Sequence, residues 1–414
     1  MRRSVAAMYV ALFLSTLLVP PTASHAGRRT SAAATIVGSD VAQQAGIREV
    51  IGTWSANVAD FNNDGWDDWL FIRHHPVKPA DRLYRNDGGH FTEIDAGTFN
   101  QGPDRHDCAW GNVNPQTDGL PDVFCTTGAN NGTATKLNEL WIQRPDHTFV
   151  NRTVLYKLND DTYGRGRNTT FIDANHDAYP DLFVGNLYPR PDGRPTINRF
   201  YLNQGGTQFK AAPGYGLDKA ISATCAQAAD YNRDGWEDLL VCGKQSLKLY
   251  RNQQGTAFSD VSGGVGITGF ARDALLADLN GDGRLDLAAV HPKSLVVRLL
   301  ADGRFQAPVT TRSLLAGESI AAGDINNDGR LDLYVLQACN SNIASGEYTG
   351  NKPDLMLLND GAARFSLVTI PQTTAGCGNR VAAIDYDNDG REDFIVLNGR
   401  FWTQGPVQLI TFHN

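Results

Sequence analysis

Six stretches of nine residues carry the side chains needed to hold a hard cation. They read DFNNDGWDD from Asp60, DANHDAYPD from Asp173, DYNRDGWED from Asp230, DLNGDGRLD from Asp278, DINNDGRLD from Asp324 and DYDNDGRED from Asp385. A looser copy, NVNPQTDGLPD, starts at Asn112. The first, third, fifth and ninth positions present oxygen-bearing side chains, and the seventh can add a backbone carbonyl. The candidate ligands are Asp60, Asn62, Asp64, Trp66 and Asp68 in the first loop, and Asp173, Asn175, Asp177 and Asp181 in the third. In the fourth and fifth they are Asp230, Asn232, Asp234, Trp236 and Asp238, and Asp278, Asn280, Asp282, Arg284 and Asp286. In the last two they are Asp324, Asn326, Asp328, Arg330 and Asp332, and Asp385, Asp387, Asp389, Arg391 and Asp393. Ca2+ accepts roughly six to eight oxygens, so such a loop with waters can satisfy it. Glycine at the sixth position permits the positive-φ turn that wraps the chain around the ion. The Asn112 loop has two extra residues and fewer carboxylates, and the Asp173 loop has Ala178 in place of glycine. These two are expected to bind Ca2+ most weakly or stay empty.

The elements that must position these loops are strands. An EF-hand opens on a similar pattern but needs a Glu at the twelfth position and flanking helices, and neither is present. The loops run instead into DWLFI, DLFVG, DLLVC, DLAAV, DLYVL and DFIVL, and follow small or apolar segments such as SANVA, DALLA, SIAAG and RVAAI. Each loop is therefore the turn of a hairpin, and the ions are expected to pin hairpins rather than to recruit partners. Recurrence at intervals of 46 to 61 residues means a repeat architecture.

A second pattern accompanies the loops: DRLYRNDGGHF from Asp81, NRFYLNQGGTQF from Asn198, LKLYRNQQGTAF from Leu247 and DLMLLNDGAARF from Asp354. With these motifs, residues 35–414 resemble the FG-GAP or VCBS repeat proteins, which include the integrin α-subunit head and the cartilage acidic protein type. The resemblance implies an all-β fold, a β-propeller with one calcium loop per blade. It implies little about activity, because the family spans adhesion heads, matrix proteins, lectin-like modules and propellers attached to enzymes. Seven loops make seven blades in a single domain over residues 34–414. The chain ends VQLITFHN, a third strand lacking a fourth, and ATIVGSDVAQQAGI from Ala34 reads as a fourth strand lacking the first three. The two are expected to pair and fasten the ring, which removes two sheet edges.

Residues 1–26 combine Arg2 and Arg3, an apolar run and small residues ending at Ala26, the pattern of a secretory signal, and residues 27–33 read as a linker. No other segment is long and apolar enough to span a bilayer. A secreted or, in a Gram-negative host, periplasmic monomer is expected. Six cysteines fit an oxidising compartment. Counted from the first residue of each loop, Cys225 and Cys242 lie at −5 and +12, and Cys108 and Cys125 at −4 and, discounting the extra loop residues, +11. Both pairs sum to +7, and opposed residues in a hairpin have a constant sum, so each pair is expected to be a disulfide. Cys339 and Cys377 lie in two connections on one face and are expected to pair as well. A net charge of −8 argues against a nucleic-acid partner. Sequons at Asn131, Asn151 and Asn168 become acceptors only in a eukaryotic host.

Function is expected on the face opposite the acidic loops. Connections there are short in blades four and five (GKQS, HPKS) but long after Arg73, Thr126, Gly185 and Gln337. Long loops gathered on a rigid scaffold are where binding concentrates. Six residues before each loop stand Trp54, His106, Arg167, Thr224, Arg272, Glu318 and Asn379, and five before stand Ser55, Asp107, Asn168, Cys225, Asp273, Ser319 and Arg380. Deeper positions are mostly small, including Ala56, Ala226 and Ala274. The channel mouth is thus ringed by polar groups, with Trp54, His106, Arg167, Arg272, Glu318 and Asn379 as candidate ligand contacts. The bland alternative is a polar rim that merely solvates the channel end. Trp54, Tyr188, Tyr348 and Trp402 suit stacking on a sugar, or ordinary packing between blades. An extracellular glycan, protein or small molecule is the expected ligand. The competing reading is an enzyme of lyase, isomerase or cyclase type, with His106, Asp107 and Glu318 as acid–base groups and Arg105, Arg167, Arg272 and Arg380 stabilising an anion. No nucleophile elbow, phosphate loop or metalloprotease motif supports it.

Overall fold

The computed structural model describes residues 36–412, except 49, 52, 74–80, 95–98, 100–103, 129–136, 162–163, 190–192, 194–195, 343–346, 350, 374 and 400–403. The signal pattern, the linker, residues 34–35, Asn131 and Trp402 lie outside the described residues, as do most of the connections after Arg73 and Thr126 and the side chain of Tyr348.

Seven four-stranded antiparallel meanders follow one another along the chain. In the first blade Thr53–Ala59 is innermost, followed outward by Asp68–Arg73, Arg82–Asn86 and Phe91–Glu93. The other innermost strands are Arg105–Gly111, Gly166–Ile172, Cys225–Ala229, Asp273–Ala277, Gly317–Gly323 and Arg380–Ile384. Each packs against the next, and the last packs against the first. The seventh blade takes its fourth strand from the N-terminal side, where Ser39–Asp40 pairs with Thr411 and Ile410 of Gly405–Thr411. The chain is therefore an all-β, seven-bladed propeller. Among the described residues no helix is long and apolar enough to cross a membrane.

The second strand of a blade has a sheet neighbour on each side and another blade over each face, which is why it reads as an unbroken apolar run. Asp68–Arg73, Asp122–Thr127, Asp238–Gly243 and Asp332–Gln337 are buried throughout. Among the described residues seven apolar clusters fill the seams, each shared by two adjacent blades. The seam that joins the ends of the ring packs Trp69 and Phe71 of blade one against Ile395 and Leu397 of blade seven, with Ala45 and Ile47 above them. Ala45 precedes a turn that only glycine suits. Gly46 has φ of 86°, and a Cβ there would stand 2.6 Å from the Phe91 carbonyl.

Cys108 opposes Cys125 and Cys225 opposes Cys242 in register, and both pairs are disulfides, with Cys339–Cys377 the third.

The second repeated pattern joins the blades. Its Asn ends the third strand, and its side-chain amide crosses to the second residue of the preceding blade's acidic loop. Asn203 reaches the Val113 carbonyl at 2.8 Å, Asn252 that of Ala174 at 2.9 Å, and Asn359 that of Leu279 at 2.8 Å. Asn86 reaches Tyr386 across the closure at 2.7 Å, and Gln143 does the same to Phe61 at 3.0 Å. The Oδ1 of Asn252 accepts from the Gly255 amide at 2.9 Å, so one side chain holds a turn and a seam together. Losing it strands buried carbonyls, each costing about 1–3 kcal/mol. Asn252→Ala is therefore expected to destabilise the chain by about 2 kcal/mol or more, read as a lower guanidinium midpoint at an unchanged slope.

Candidate functional site

The acidic loops share one backbone form. Their fourth residue lies in the left-handed region, at φ of 58° for Asn63, 60° for Arg233 and 55° for Asn327. Their sixth does too, at 87° for Gly65, 88° for Gly235 and 67° even for Ala178. The double reversal turns the amides of positions five and six inward onto the first carboxylate, as Asp64 N and Gly65 N do to Asp60 at 3.0 and 2.8 Å. The ninth carboxylate is wholly buried. Asp68 accepts from Phe61 N in its own loop at 3.1 Å and from Asn86 N on the third strand at 2.7 Å. The same two bonds recur at Asp122, Asp181, Asp238 and Asp332.

Burial beside other carboxylates is costly for the ionised form. Desolvation, reinforced by Asp64 and Asp60, pushes Asp68 up to about 7 against the pull of its backbone hydrogen bonds. Desolvation likewise pushes Asp181 up to about 8 and Asp393 to about 9. In the seventh loop the carboxylate oxygens of Asp385, Asp387 and Asp393 lie within 4.8 Å of one another. In the third, Asp173 Oδ1 is buried and accepts no hydrogen bond. These donor sets fit a hard divalent cation. Two loops bring their own competitor: Arg284 and Arg330, at the seventh position, turn their guanidinium groups onto Asp282 and Asp328.

At the other end of the inner strands the side chains form two tiers, and a β-bulge creates them. In blades one, two, three and six the register shifts where Trp54, His106, Arg167 and Glu318 stand. In the remaining blades the equivalent amides of Thr224, Arg272 and Asn379 donate to Cys242, Val290 and Leu397, the residues that already oppose the following position. A bulge re-aims side chains, so consecutive residues no longer point to opposite faces. The strict alternation of an ordinary strand fails here.

The upper tier is half-exposed except for His106, which is buried. Trp54 lies on the His106 ring at 4.7 Å between centroids, and the Arg167 guanidinium stands 5.5 Å from the Trp54 ring. Arg167 also contacts His106 Nδ1. Asn379 donates to the Trp54 carbonyl at 3.0 Å, which ties blade seven into the same group. Arg272 and Glu318 form a separate pair, 3.7 Å apart, on blades five and six. The lower tier is buried apart from Arg380. Its aspartates repeat one arrangement: Asp107 accepts from the Asn168 amide and Thr169 N, and Asp273 from the Ser319 hydroxyl and Ile320 N. Arg380 reaches from blade seven to Asp273 of blade five at 3.2 Å and to the Thr224 carbonyl of blade four at 3.1 Å. The arginine therefore lies across the channel and blocks it beneath the upper tier.

Three sequence expectations change. Arg105 does not face the channel, because just before the bulge the chain points it into the blade layer, where it is 1 % exposed and pairs with Asp81 at 2.6 Å and Glu139 at 2.5 Å. His106 and Asp107 occupy different tiers with different partners. Asn168 is buried with its amide on Asp107, which bars it from carrying a glycan. Sequence reading also missed what houses His106: Asp104, 3.1 Å from Nε2, and Gly128, where a Cβ would fall 2.2 Å from the ring. Burial and the Arg167 charge hold His106 down to about 4, against the pull of Asp104.

The ninth-position aspartates set a pH dependence for the chain stripped of divalent ions. Their folded-state values, from about 6 at Asp286 to about 9 at Asp393, lie above the ordinary value of 3.8. The folded state therefore holds protons that the unfolded state releases, and stability falls as pH rises across that window. His106 works the opposite way, one ring against seven carboxylates. In chelator, the melting temperature is expected to drop by several degrees between pH 5 and pH 8; a rise would contradict these environments.

Comparison with known proteins agrees with the architecture. The family of FG-GAP-like repeats matches residues 117–184, 230–289 and 278–335. No curated protein matches the sequence. Among solved structures, an Agrocybe aegerita lectin that recognises non-reducing terminal N-acetylglucosamine is 16 % identical, with 88 % of this chain and 86 % of that one covered at a TM-score of 0.51. BBS1N, solved in complex with ARL6DN, is 11 % identical, with 92 % and 97 % covered at 0.54. At such identities the likeness concerns the fold. The chain is a seven-bladed β-propeller that carries FG-GAP-like repeats over residues 117–184, 230–289 and 278–335.

Proposed function

We propose that the protein is a secreted, calcium-stabilised propeller that binds an extracellular glycan, protein or small molecule at the channel mouth opposite its acidic loops. The observation that carries this reading is the contrast between the tiers. Trp54, Arg167, Arg272, Glu318 and Asn379 stay half-exposed above a buried layer that Arg380 seals. A closed floor beneath an indole, guanidinium groups and an amide makes a shallow polar bowl, which suits recognition of a ligand's surface. Export is supported by the N-terminal signal pattern and by three disulfides. Calcium is supported by the inward amides, the raised ninth carboxylates and the clustered oxygens of the seventh loop.

Binding is favoured over acid–base catalysis by His106. It is buried under Trp54 and neutral across the physiological range, so it is too weak a base and too enclosed to reach a substrate proton. The glycan arm draws support from a propeller of the same fold that recognises terminal N-acetylglucosamine, and the protein arm from one solved with a protein partner.

The test is a glycan array probed with the full mature chain in calcium, followed by titration of the strongest glycan. Trp54→Ala and Arg167→Gln are each expected to weaken binding about tenfold, the loss of one stacking or charge-assisted contact, with little change in melting temperature. A silent array would remove the glycan arm, and a signal untouched by both substitutions would remove the mouth as the site.

A further inference from the structure

The seam between blades four and five departs from its neighbours. Where other third strands end in an amide that crosses to the preceding loop, blade five has Leu300, which has nothing to offer the Tyr231 carbonyl. Its chain turns off early into a small hairpin, Leu300–Ala301 against Arg304–Phe305. Blade seven also lacks the amide, but Phe412 and the N-terminal segment fill that seam: Phe412 is 1 % exposed, and Val37 bridges to Thr369. The four–five seam instead opens into a cleft of about 520 Å³ on the acidic-loop side.

Three arginines converge on this cleft: Arg233, Arg251 and Arg284. Arg233 is held against the next blade because Gly283 leaves room for it; a Cβ there would lie 2.3 Å from its Nη2. Arg284 is anchored by Nε on the Leu300 carbonyl at 2.9 Å and by Nη2 on Asp282 at 2.6 Å. Among the described residues neither Arg233 nor Arg251 has an ion-pair partner. Asp260 also lines the cleft, where it is engaged by Lys248 at 2.7 Å and by the Ser262 hydroxyl at 2.5 Å. Beneath the charges lie Val261, Val265 and Leu300. In a chain of net charge −8, two unpaired guanidinium groups in one cleft with an apolar floor are out of keeping with the general surface.

We infer that this seam binds a small organic dianion, a phosphate or sulfate group carried on an apolar body. Guanidinium forks match tetrahedral oxyanions in shape and charge, and the valine and leucine floor would cover the attached group. The site lies away from the channel mouth and does not depend on the reading given for it.

The test is calorimetric titration of the full mature chain at constant ionic strength, without added calcium, using phenyl phosphate, inorganic phosphate, inorganic sulfate and phenol. Phenyl phosphate is expected to bind with a Kd of about 0.1–1 mM and about tenfold more tightly than inorganic phosphate, with phenol silent. Arg233→Asn places at that positive-φ position the residue found in three other loops, at Asn63, Asn327 and Asn388, and so should fold; Arg251→Gln lies on an exposed strand position. The double variant is expected to lose at least about tenfold in affinity, the worth of one charge-assisted contact, at an unchanged melting temperature. Inorganic phosphate or sulfate binding as well as phenyl phosphate would overturn the organic body. No binding at about 10 mM, or binding indifferent to both substitutions, would overturn the site.

Discussion

One carboxylate in each blade carries more of the structure than any other group. The ninth residue of the acidic loop is an aspartate with almost no exposure, and its two oxygens bind the loop to the third strand. It fixes the hairpin turn and the meander in one interaction, and in repeating it sets the pitch of the ring. The geometry also concentrates charge: outside the Asn112 loop the same aspartate sits beside the first and fifth carboxylates of its loop, and desolvation lifts its affinity for a proton far above the ordinary value. A buried carboxylate crowded by others is stable when protonated or when faced by a cation. At neutral pH a cation in the loop would relieve the crowding without giving up the two backbone bonds.

Ring closure determines how the two faces differ. On the acidic-loop side the blades are stitched by amide side chains of Asn and Gln reaching across each seam. On the other side the inner strands crowd toward the axis, where small residues suit them, and a bulge in every blade turns two successive side chains into the channel region. In the lower set Asp107 and Asp273 each accept from the next blade, and Arg380 crosses the channel. The upper set, His106 apart, keeps contact with solvent. A buried layer and a solvent-facing one are thus separated by a single residue along each inner strand.

The loops, their count and the hairpin arrangement were legible because they depend on local chemistry: carboxylate spacing, glycine at a positive-φ position, and apolar runs that only a doubly covered strand requires. The pairings of Cys108 with Cys125 and of Cys225 with Cys242 were legible for a geometric reason, since opposed positions in a hairpin keep a constant sum. The mouth residues were found by alignment on the loops, but their grouping was not. Strict alternation separates His106 from Asp107 across the strand, whereas the bulge stacks them in tiers, and a bulge leaves no mark in a single sequence. Arg105 was misplaced for the same reason. Its partners Asp81 and Glu139 come from third strands, and no local pattern announces them.

The account rests on cations relieving the carboxylate crowding, so the decisive measurement is a thermal melt of the mature chain at pH 7.5 in calcium and in chelator, with bound calcium counted on the same sample. The account expects several ions per chain and a melting temperature that climbs with free calcium, as mass action requires of a ligand that binds the folded state. An identical melt in chelator, with no calcium retained, would contradict it.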